Sequence, residues 1–223
     1  IYNDLWKYSP TNDSWIELGS VAHLENLGRV YASSFTVENK GYVQGGSDSD
    51  QNVLYNDLWQ YDPTSDSWQQ KTSLPSDARY GGTGFSLQGK GYIAMGFNYN
   101  LPDSYINDLW EYDPSSNSWQ QKESNPSGEG RARPSGLSIG TYGYVGFGVS
   151  VPSFSDFWAF NPEEDSWSRK SDFPGEENTR YGVGATAING KAYFGLGYYD
   201  GDGDFNEGYR VDFWEYNPVH DQE

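Results

Sequence analysis

One stretch of the sequence decides the fold: Asn56-Asp57-Leu58-Trp59-Gln60-Tyr61-Asp62-Pro63. Versions of it recur throughout the 223 residues, and their first tryptophans are Trp6, Trp59, Trp110, Trp158 and Trp214. The period is therefore about fifty residues, which is the length of a four-stranded β-sheet repeat. Because one repeat cannot bury its own apolar surface, each must pack against its neighbours. The sequence predicts an all-β protein built from sheets stacked side by side.

The second repeat shows how one such sheet is divided into strands. A first strand is predicted over 79–87, and the link Gln88-Gly89-Lys90 is typical of a hairpin leading into a second strand over 91–96. A third strand is predicted over 107–112 and a fourth from Trp119 onwards, because Pro and Asn residues between them favour a turn. Counted along the whole chain, the pattern gives four first, four second, five third and four fourth strands.

Glycines in the second strands, together with the tryptophan motif, resemble kelch repeats over essentially the whole chain. The second strands end in pairs that keep the second glycine in every copy: Gly45-Gly46, Met95-Gly96, Phe147-Gly148 and Leu196-Gly197. The resemblance implies a β-propeller of four-stranded antiparallel blades, usually five to seven of them. The motif is also similar to kelch arrays of secreted bacterial proteins, which implies an extracellular or cell-surface location. A fold of this kind does not by itself assign a function.

The repeat pattern predicts a single kelch propeller domain, or a fragment of one, over 1–223. The repeats are placed at approximately 1–50, 51–101, 102–150 and 151–206, with a partial repeat at 207–223. The predicted strands make four blades plus one strand, so two arrangements are open. One is a small ring with a spare strand. The other, which we favour because the family rarely closes with four blades, is a piece of a larger ring. Such a piece would be either cut from a longer chain or completed by another molecule, because open sheet edges are usually avoided.

Composition excludes several function classes. The net charge of −18 repels phosphate backbones, so we expect no nucleic-acid partner. A mean hydropathy of −0.83 and the absence of any long apolar run predict no membrane span. The absence of cysteine excludes disulfides and the Tyr–Cys cofactor of kelch-type copper oxidases, and His23 and His220 are too few for a histidine-built metal centre. We expect no required cofactor.

Four arginines, Arg29, Arg79, Arg133 and Arg180, are predicted to open the four first strands. In one interpretation they ring the mouth of the axial channel and hold a carboxylate or a sulfate, while Tyr80 and Tyr181 stack on a sugar or a peptide side chain. In the other, each is part of the repeat framework and pairs with an aspartate or with carbonyls of a neighbouring blade. The framework interpretation is favoured, because a residue repeated in every blade is more often structural. The candidate aspartates are Asp4, Asp57, Asp108, Asp156 and Asp212.

The loops after the second strands differ most between repeats, and variable loops on a rigid scaffold usually carry specificity. They are aromatic, and Tyr99 and Tyr199 are predicted to contact a ligand. The longest loop carries Asp200, Asp202, Asp204 and Glu207, whose spacing resembles the start of an EF-hand loop and predicts a possible calcium site. It departs from that motif after Asp204 and at the twelfth position, so a solvated acidic loop is the alternative.

Three functions are compatible with this sequence. The first is a non-catalytic module that binds a protein or a surface glycan through its loop face. The second is a mutarotase-like enzyme acting on an acidic sugar, with a loop glutamate for proton transfer; the candidates are Glu25, Glu129, Glu176 and Glu177. The third is a building block of an extracellular assembly. Arginines that pair with framework aspartates would favour the binding module.

Overall fold

The computed structural model describes residues 4–19, 28–48, 50, 52–150, 153–174, 179–199 and 208–218. The chain is all-β, and every pairing between its strands is antiparallel. No helix formed by the described residues is long and apolar enough to cross a membrane. The calls on His23, His220, Glu25, Glu176, Glu177 and the four proposed calcium ligands fall outside the described residues.

Three sheets are complete four-stranded blades. Blade I contains β3 (Ser33–Val37), β4 (Lys40–Gln44), β5 (Leu58–Asp62) and β6 (Ser67–Lys71). Blade II contains β7 (Thr83–Leu87), β8 (Lys90–Phe97), β9 (Tyr105–Asp113) and β10 (Ser118–Lys122). Blade III contains β11 (Ser135–Ile139), β12 (Tyr142–Gly146), β13 (Phe157–Asn161) and β14 (Ser166–Lys170). In each blade the strands are hydrogen-bonded in sequence order.

Incomplete sheets flank the three complete blades. On the N-terminal side, β1 (Leu5–Ser9) pairs with β2 (Ser14–Leu18). On the C-terminal side, blade IV contains β15 (Gly184–Ile188), β16 (Lys191–Gly195) and β19 (Phe213–Tyr216). The loop between the last two carries a short ribbon of β17 (Tyr198–Tyr199) and β18 (Gly208–Tyr209).

The predicted strand inventory is confirmed, because β1 and β19 both occupy the third-strand place of a sheet. The first strands are shorter than predicted: blade II begins at Thr83 rather than Arg79, so the arginine lies in the preceding loop. The propeller arrangement with kelch-type blades is thus present, while the number of blades in a complete ring stays a prediction.

The inner strands pack in the order β3, β7, β11 and β15, and small residues make this approach possible. A Cβ at Gly84 would collide with the backbone of Ser34 on the neighbouring blade. Hydroxyl groups also join the blades: Ser86 donates to the carbonyl of Thr36, and Ser138 donates to the carbonyl of Ser86. Inner glycines therefore allow close contact, although glycine weakens a strand elsewhere.

Aromatic side chains fill the space between neighbouring blades. Phe35 stacks on Tyr42 with ring centroids 4.8 Å apart, and Tyr112 of the next blade packs against both. The tryptophan of each complete blade's fourth strand packs on the third-strand aromatic, as Trp119 does on Tyr112 at 5.0 Å. The core is thus a series of aromatic layers between sheets, and it fixes how the loops at one end are placed.

Candidate functional site

A buried arginine–aspartate pair is repeated in each of the four blades. The pairs are Arg29 with Asp57, Arg79 with Asp108, Arg131 with Asp156, and Arg180 with Asp212. Within each pair both guanidinium Nη atoms donate to the carboxylate. In every pair, Nη1 also donates to a backbone carbonyl at the end of the second strand. This carbonyl belongs to the residue just before the recurring glycine: Gly45, Met95, Phe147 or Leu196.

The third member of this set is Arg131, so the placement of Arg133 among the four equivalent arginines was wrong. The side chain of Arg131 is 0% exposed, and its Nη2 lies 3.0 Å from Oδ2 of Asp156. The sequence holds a signal that separates the two, because arginine and acceptor carbonyl lie 16 residues apart in all four blades. That spacing selects Arg131 and leaves Arg133 outside the framework.

The electrostatics of these pairs are those of a structural framework. Burial raises the pKa of Asp156, but the hydrogen bonds and positive charge of Arg131 outweigh burial and hold that pKa below its usual range. Arg180 likewise lowers the pKa of Asp212. Each aspartate also accepts from the indole two residues later, as Asp156 does from Trp158 at 2.6 Å. The framework interpretation therefore fits Arg29, Arg79 and Arg180, with the partner in the same blade rather than in a neighbouring one.

Four residues between the framework arginines and the inner strands form what we call the axial collar: Tyr31, Gly81, Arg133 and Gly182. All four have left-handed backbone angles, with φ of 55°, 64°, 54° and 65°. Backbone hydrogen bonds join them in succession from blade to blade: Gly81 N to Tyr31 O, Arg133 N to Gly81 O, and Gly182 N to Arg133 O. Left-handed φ suits glycine, so large side chains at two of these places are conspicuous.

The Arg133 side chain lies across the collar. Its guanidinium carbon is 4.4 Å from the ring centroid of Tyr31 and 5.4 Å from that of Tyr181. Within the described part of the chain, the guanidinium has neither an ion pair nor a hydrogen bond to a side chain. Arg133 is half-buried, so its donors can meet a ligand from solvent. It is thus chemically unlike the four framework arginines.

Next to the collar, the loop face alternates between aromatic and small residues. In blade II, Tyr80, Phe97 and Tyr105 contact one another in succession, with ring centroids 5.5 and 4.8 Å apart. In blade IV, the same three places are occupied by Tyr181, Tyr198 and Tyr209, with centroids 5.5 and 5.3 Å apart. Blades I and III have smaller residues there: Val30, Ser47 and Leu54, and Ala132, Val149 and Ser153.

This alternation leaves a cavity of about 200 Å³ on blade III, which we call the slot. It is lined by Tyr80, Phe97, Tyr105, Ala132, Arg133, Val149 and Tyr181. Burial raises the pKa of the Tyr80 hydroxyl above its usual value, and the charge of Arg133 only partly offsets this effect. The slot therefore combines one cation, aromatic walls and tyrosine hydroxyls, which suits a small ligand with an anionic group and a ring.

The predicted ligand residues thus divide into three groups. Arg133, Tyr80 and Tyr181 meet at the slot, whereas the other three arginines belong to the framework. Tyr99 is 40% exposed in the loop after β8, and Tyr199 is buried beneath Arg210. Sequence reasoning missed Tyr31 and Phe97; the matching position of Tyr31 with Gly81 and Gly182 was the available signal. Glu129 is exposed and makes no ion pair with any described residue.

The predicted calcium site is not tested by the described residues. Asp200, Asp202, Asp204 and Glu207 lie outside the described ranges, so a calcium site there stays a prediction. Elsewhere, the described ranges contain no group of three or more His, Cys, Asp or Glu residues arranged to hold a metal ion.

Comparisons with known proteins agree with this architecture. Residues 1–148 match the family model described as the KLHDC2/KLHL20/DRC7 Kelch-repeats domain. An N-acetylneuraminate epimerase of Shigella sonnei (strain Ss046) is 33% identical over 86 residues, which is 37% of this chain and 23% of that protein. The solved structure of YjhT superposes with a TM-score of 0.78 at 18% identity, over 96% of this chain and 75% of that one. The likeness to YjhT concerns the fold alone.

Proposed function

Because the chain belongs to the kelch-repeat domain family, we propose that it is a binding module that holds an acidic sugar through Arg133. The observation that carries the proposal is the contrast between Arg133 and the framework arginines. Four arginines are each neutralised by an aspartate, while Arg133 has no carboxylate among the described residues. In a chain of net charge −18, a cation at a cavity that has no carboxylate partner among the described residues favours an anionic ligand.

The geometry of the slot supports a carboxylate as the anionic group. Tyr31 and Tyr181 contact the guanidinium through their ring faces, which leaves its N–H edges for a bidentate carboxylate. Left-handed φ at Arg133 and Tyr31 is a cost that glycine avoids in the neighbouring blades. The large side chains at these two positions are kept despite that cost, which agrees with a role in holding a ligand.

The rest of the slot supports a sugar as the body of the ligand. A volume of about 200 Å³ matches one sugar ring, and Tyr80 and Tyr105 provide flat apolar faces together with hydroxyl groups. The 33%-identical relative is named for N-acetylneuraminate, an acidic sugar, although the match spans 23% of that protein. A surface glycan that ends in such a sugar accordingly agrees with the proposed extracellular or cell-surface location.

The relative's name also favours a second candidate, an epimerase acting on the same sugar. Acid–base chemistry would need a carboxyl beside the bound sugar. In the described ranges no carboxyl lines the slot, since its seven residues are apolar, tyrosine or arginine. We therefore place binding first and keep the enzyme as an outcome of the test.

The test compares wild type with Arg133→Gly by calorimetric titration with N-acetylneuraminate. Glycine is the best replacement because Gly81 and Gly182 already occupy this place with the same φ. We expect the variant to fold with unchanged melting temperature and to bind at least about tenfold more weakly, since a hydrogen bond to a charged group contributes about 1.5–3 kcal/mol.

Arg169→Ala is the matched control, because Arg169 forms an exposed ion pair with Asp172 away from the slot. It should bind like wild type. Unchanged affinity in Arg133→Gly would overturn the proposal. Proton NMR of the same mixtures separates the second candidate: epimerisation faster than the uncatalysed rate, lost in Arg133→Gly, would make this site an enzyme.

A further inference from the structure

We propose that the slot continues into a second subsite formed by Tyr198 and Tyr209, which binds the neutral sugar that follows the acidic one. The ligand would then be the end of a glycan chain rather than a free monosaccharide. This inference rests on the proposed function, because it places the acidic sugar at Arg133.

The second subsite adjoins the slot through a continuous row of rings. Tyr181 lines the slot, its ring contacts that of Tyr198 at 5.5 Å, and Tyr198 contacts Tyr209 at 5.3 Å. The corresponding row of blade II is drawn into the slot, since Tyr80, Phe97 and Tyr105 all line it. In blade IV only Tyr181 does so. The outer two rings of blade IV are thus left for a part of the ligand that extends beyond the slot.

Tyr209 is exposed but held in place. Its side chain is 85% exposed, yet β17 and β18 pair Tyr198 with Tyr209 and Tyr199 with Gly208. Backbone hydrogen bonds between Tyr181 and Tyr198, in both directions, tie this ribbon to the residue that precedes Gly182 of the collar. Within the ribbon, Tyr199 is buried, and the guanidinium carbon of Arg210 lies 4.8 Å from the centroid of its ring. A large aromatic ring presented to water on a fixed ribbon is a surface suited to a ligand.

Charge indicates that the second sugar is neutral. Neither Tyr198 nor Tyr209 carries a charge, and neither forms an ion pair with any described residue. Arg133 already serves the anion of the first sugar. The two rings therefore suit an uncharged sugar, which binds by stacking on an aromatic face.

Strand pairing favours a glycan over a peptide. Extended peptides commonly bind by adding a strand to an open sheet edge. At Tyr198 both sides are already paired, with Tyr181 on one side and Tyr209 on the other. Tyr198 therefore presents its ring rather than an open backbone edge, which suits a sugar ring.

The experiment titrates the full chain with N-acetylneuraminate and with N-acetylneuraminyl-lactose, in which the same acidic sugar is followed by neutral ones. Wild type should bind the trisaccharide about tenfold more tightly. Tyr209→Ala should remove that advantage and leave the affinity for the monosaccharide unchanged. Tyr142→Ala is the matched control, because Tyr142 is 39% exposed at the opposite end of blade III and should alter neither affinity.

The outcomes separate this inference from the proposed function. If wild type binds both sugars equally, or if Tyr209→Ala weakens the binding of both by the same factor, the proposal of a second subsite is overturned. The proposal that Arg133 binds the acidic sugar is then unaffected. If wild type binds neither sugar, both proposals are overturned together. An acidic peptide that binds in place of the trisaccharide and is lost in Tyr209→Ala would replace the glycan by a protein partner and overturn the inference.

Discussion

Arg131 and Arg133 lie two residues apart and have opposite environments. Arg131 is fully buried, donates to Asp156 through both Nη atoms and lies 3.7 Å from the ring of Phe154. Arg133 lies at the collar with two tyrosine rings and no carboxylate among the described residues. A guanidinium that is desolvated must be paired, whereas one at a cavity mouth remains hydrated until a ligand arrives. Position relative to the blade therefore decides the role of each.

Asp156→Asn tests the framework role. Loss of this carboxylate leaves Arg131 as an uncompensated buried charge, so we expect the free energy of unfolding to fall by about 3 kcal/mol. Asp172→Asn removes a carboxylate from an exposed ion pair of the same blade and should cost less than about 1 kcal/mol. Urea unfolding followed by tryptophan fluorescence at pH 7 measures both. Equal effects would contradict the framework role.

The same variant has an expected pH dependence. Because the folded pKa of Asp156 is lowered, its stabilising contribution is complete above the unfolded value of about 3.9 and is lost as pH falls through the folded value. The stability difference between wild type and Asp156→Asn should therefore be constant near neutral pH and shrink below about pH 4. A difference that grows on acidification would contradict this assignment.

Among the elements, the fourth strands connect neighbouring sheets through their tryptophans. Trp68, Trp119 and Trp167 each donate from Nε1 to the carbonyl that follows the fourth strand of the preceding sheet, at Gly19, Thr72 and Glu123. A turn residue returns a contact, as Asn117 does by accepting from the backbone N of Thr72 at 3.0 Å. Each of the three complete blades is thus joined to the preceding sheet by two hydrogen bonds at its outer edge.

Trp119→Phe tests this connection. Phenylalanine keeps a ring against Tyr112 but removes the donor to Thr72, so we expect a loss of about 1–2 kcal/mol in the free energy of unfolding. Trp15→Phe is the matched control, because Trp15 occupies the same strand position, is 64% exposed, and has no acceptor for Nε1 among the described residues. It should change stability by less than about 0.5 kcal/mol. Thermal and urea unfolding measure both, and a similar loss in the two variants would show that the connection is unimportant.

At the scale of the whole molecule, blades I and III differ from blades II and IV. In blades I and III, a large side chain occupies the collar position. In blades II and IV, that position is glycine and an aromatic row lies on the loop face. The slot exists because a blade with small loop residues lies between two aromatic blades. No single repeat contains this site, so a ligand there depends on the correct packing of three successive sheets.

The acidic loop of blade IV gives a prediction at this scale. If the loop binds calcium, millimolar calcium should raise the melting temperature by roughly 5 °C or more relative to EDTA, because binding to the folded state alone stabilises it. Asp202→Asn combined with Asp204→Asn should abolish that rise. Asp103→Asn, in the exposed loop after β8, should leave it unchanged. A calcium response that persists in the double variant would remove the site.

The sequence by itself determined the repeat, the all-β class and the inventory of blade strands. Periodicity is a local property: aromatic and glycine positions recur because every blade solves the same packing problem. It also determined that arginines and aspartates recur together. Even Arg131 could have been selected from the separation of 16 residues between each arginine and its acceptor carbonyl.

Only the tertiary structure decided which arginine is available to a ligand and which aromatics surround it. Tyr31, Arg133 and Tyr181 lie far apart along the chain and meet because backbone hydrogen bonds join successive blades at the collar. Burial and pairing depend on neighbouring sheets, and the left-handed backbone at residues 31 and 133 is set by the same contacts. These are non-local properties, and a repeat read one copy at a time does not contain them.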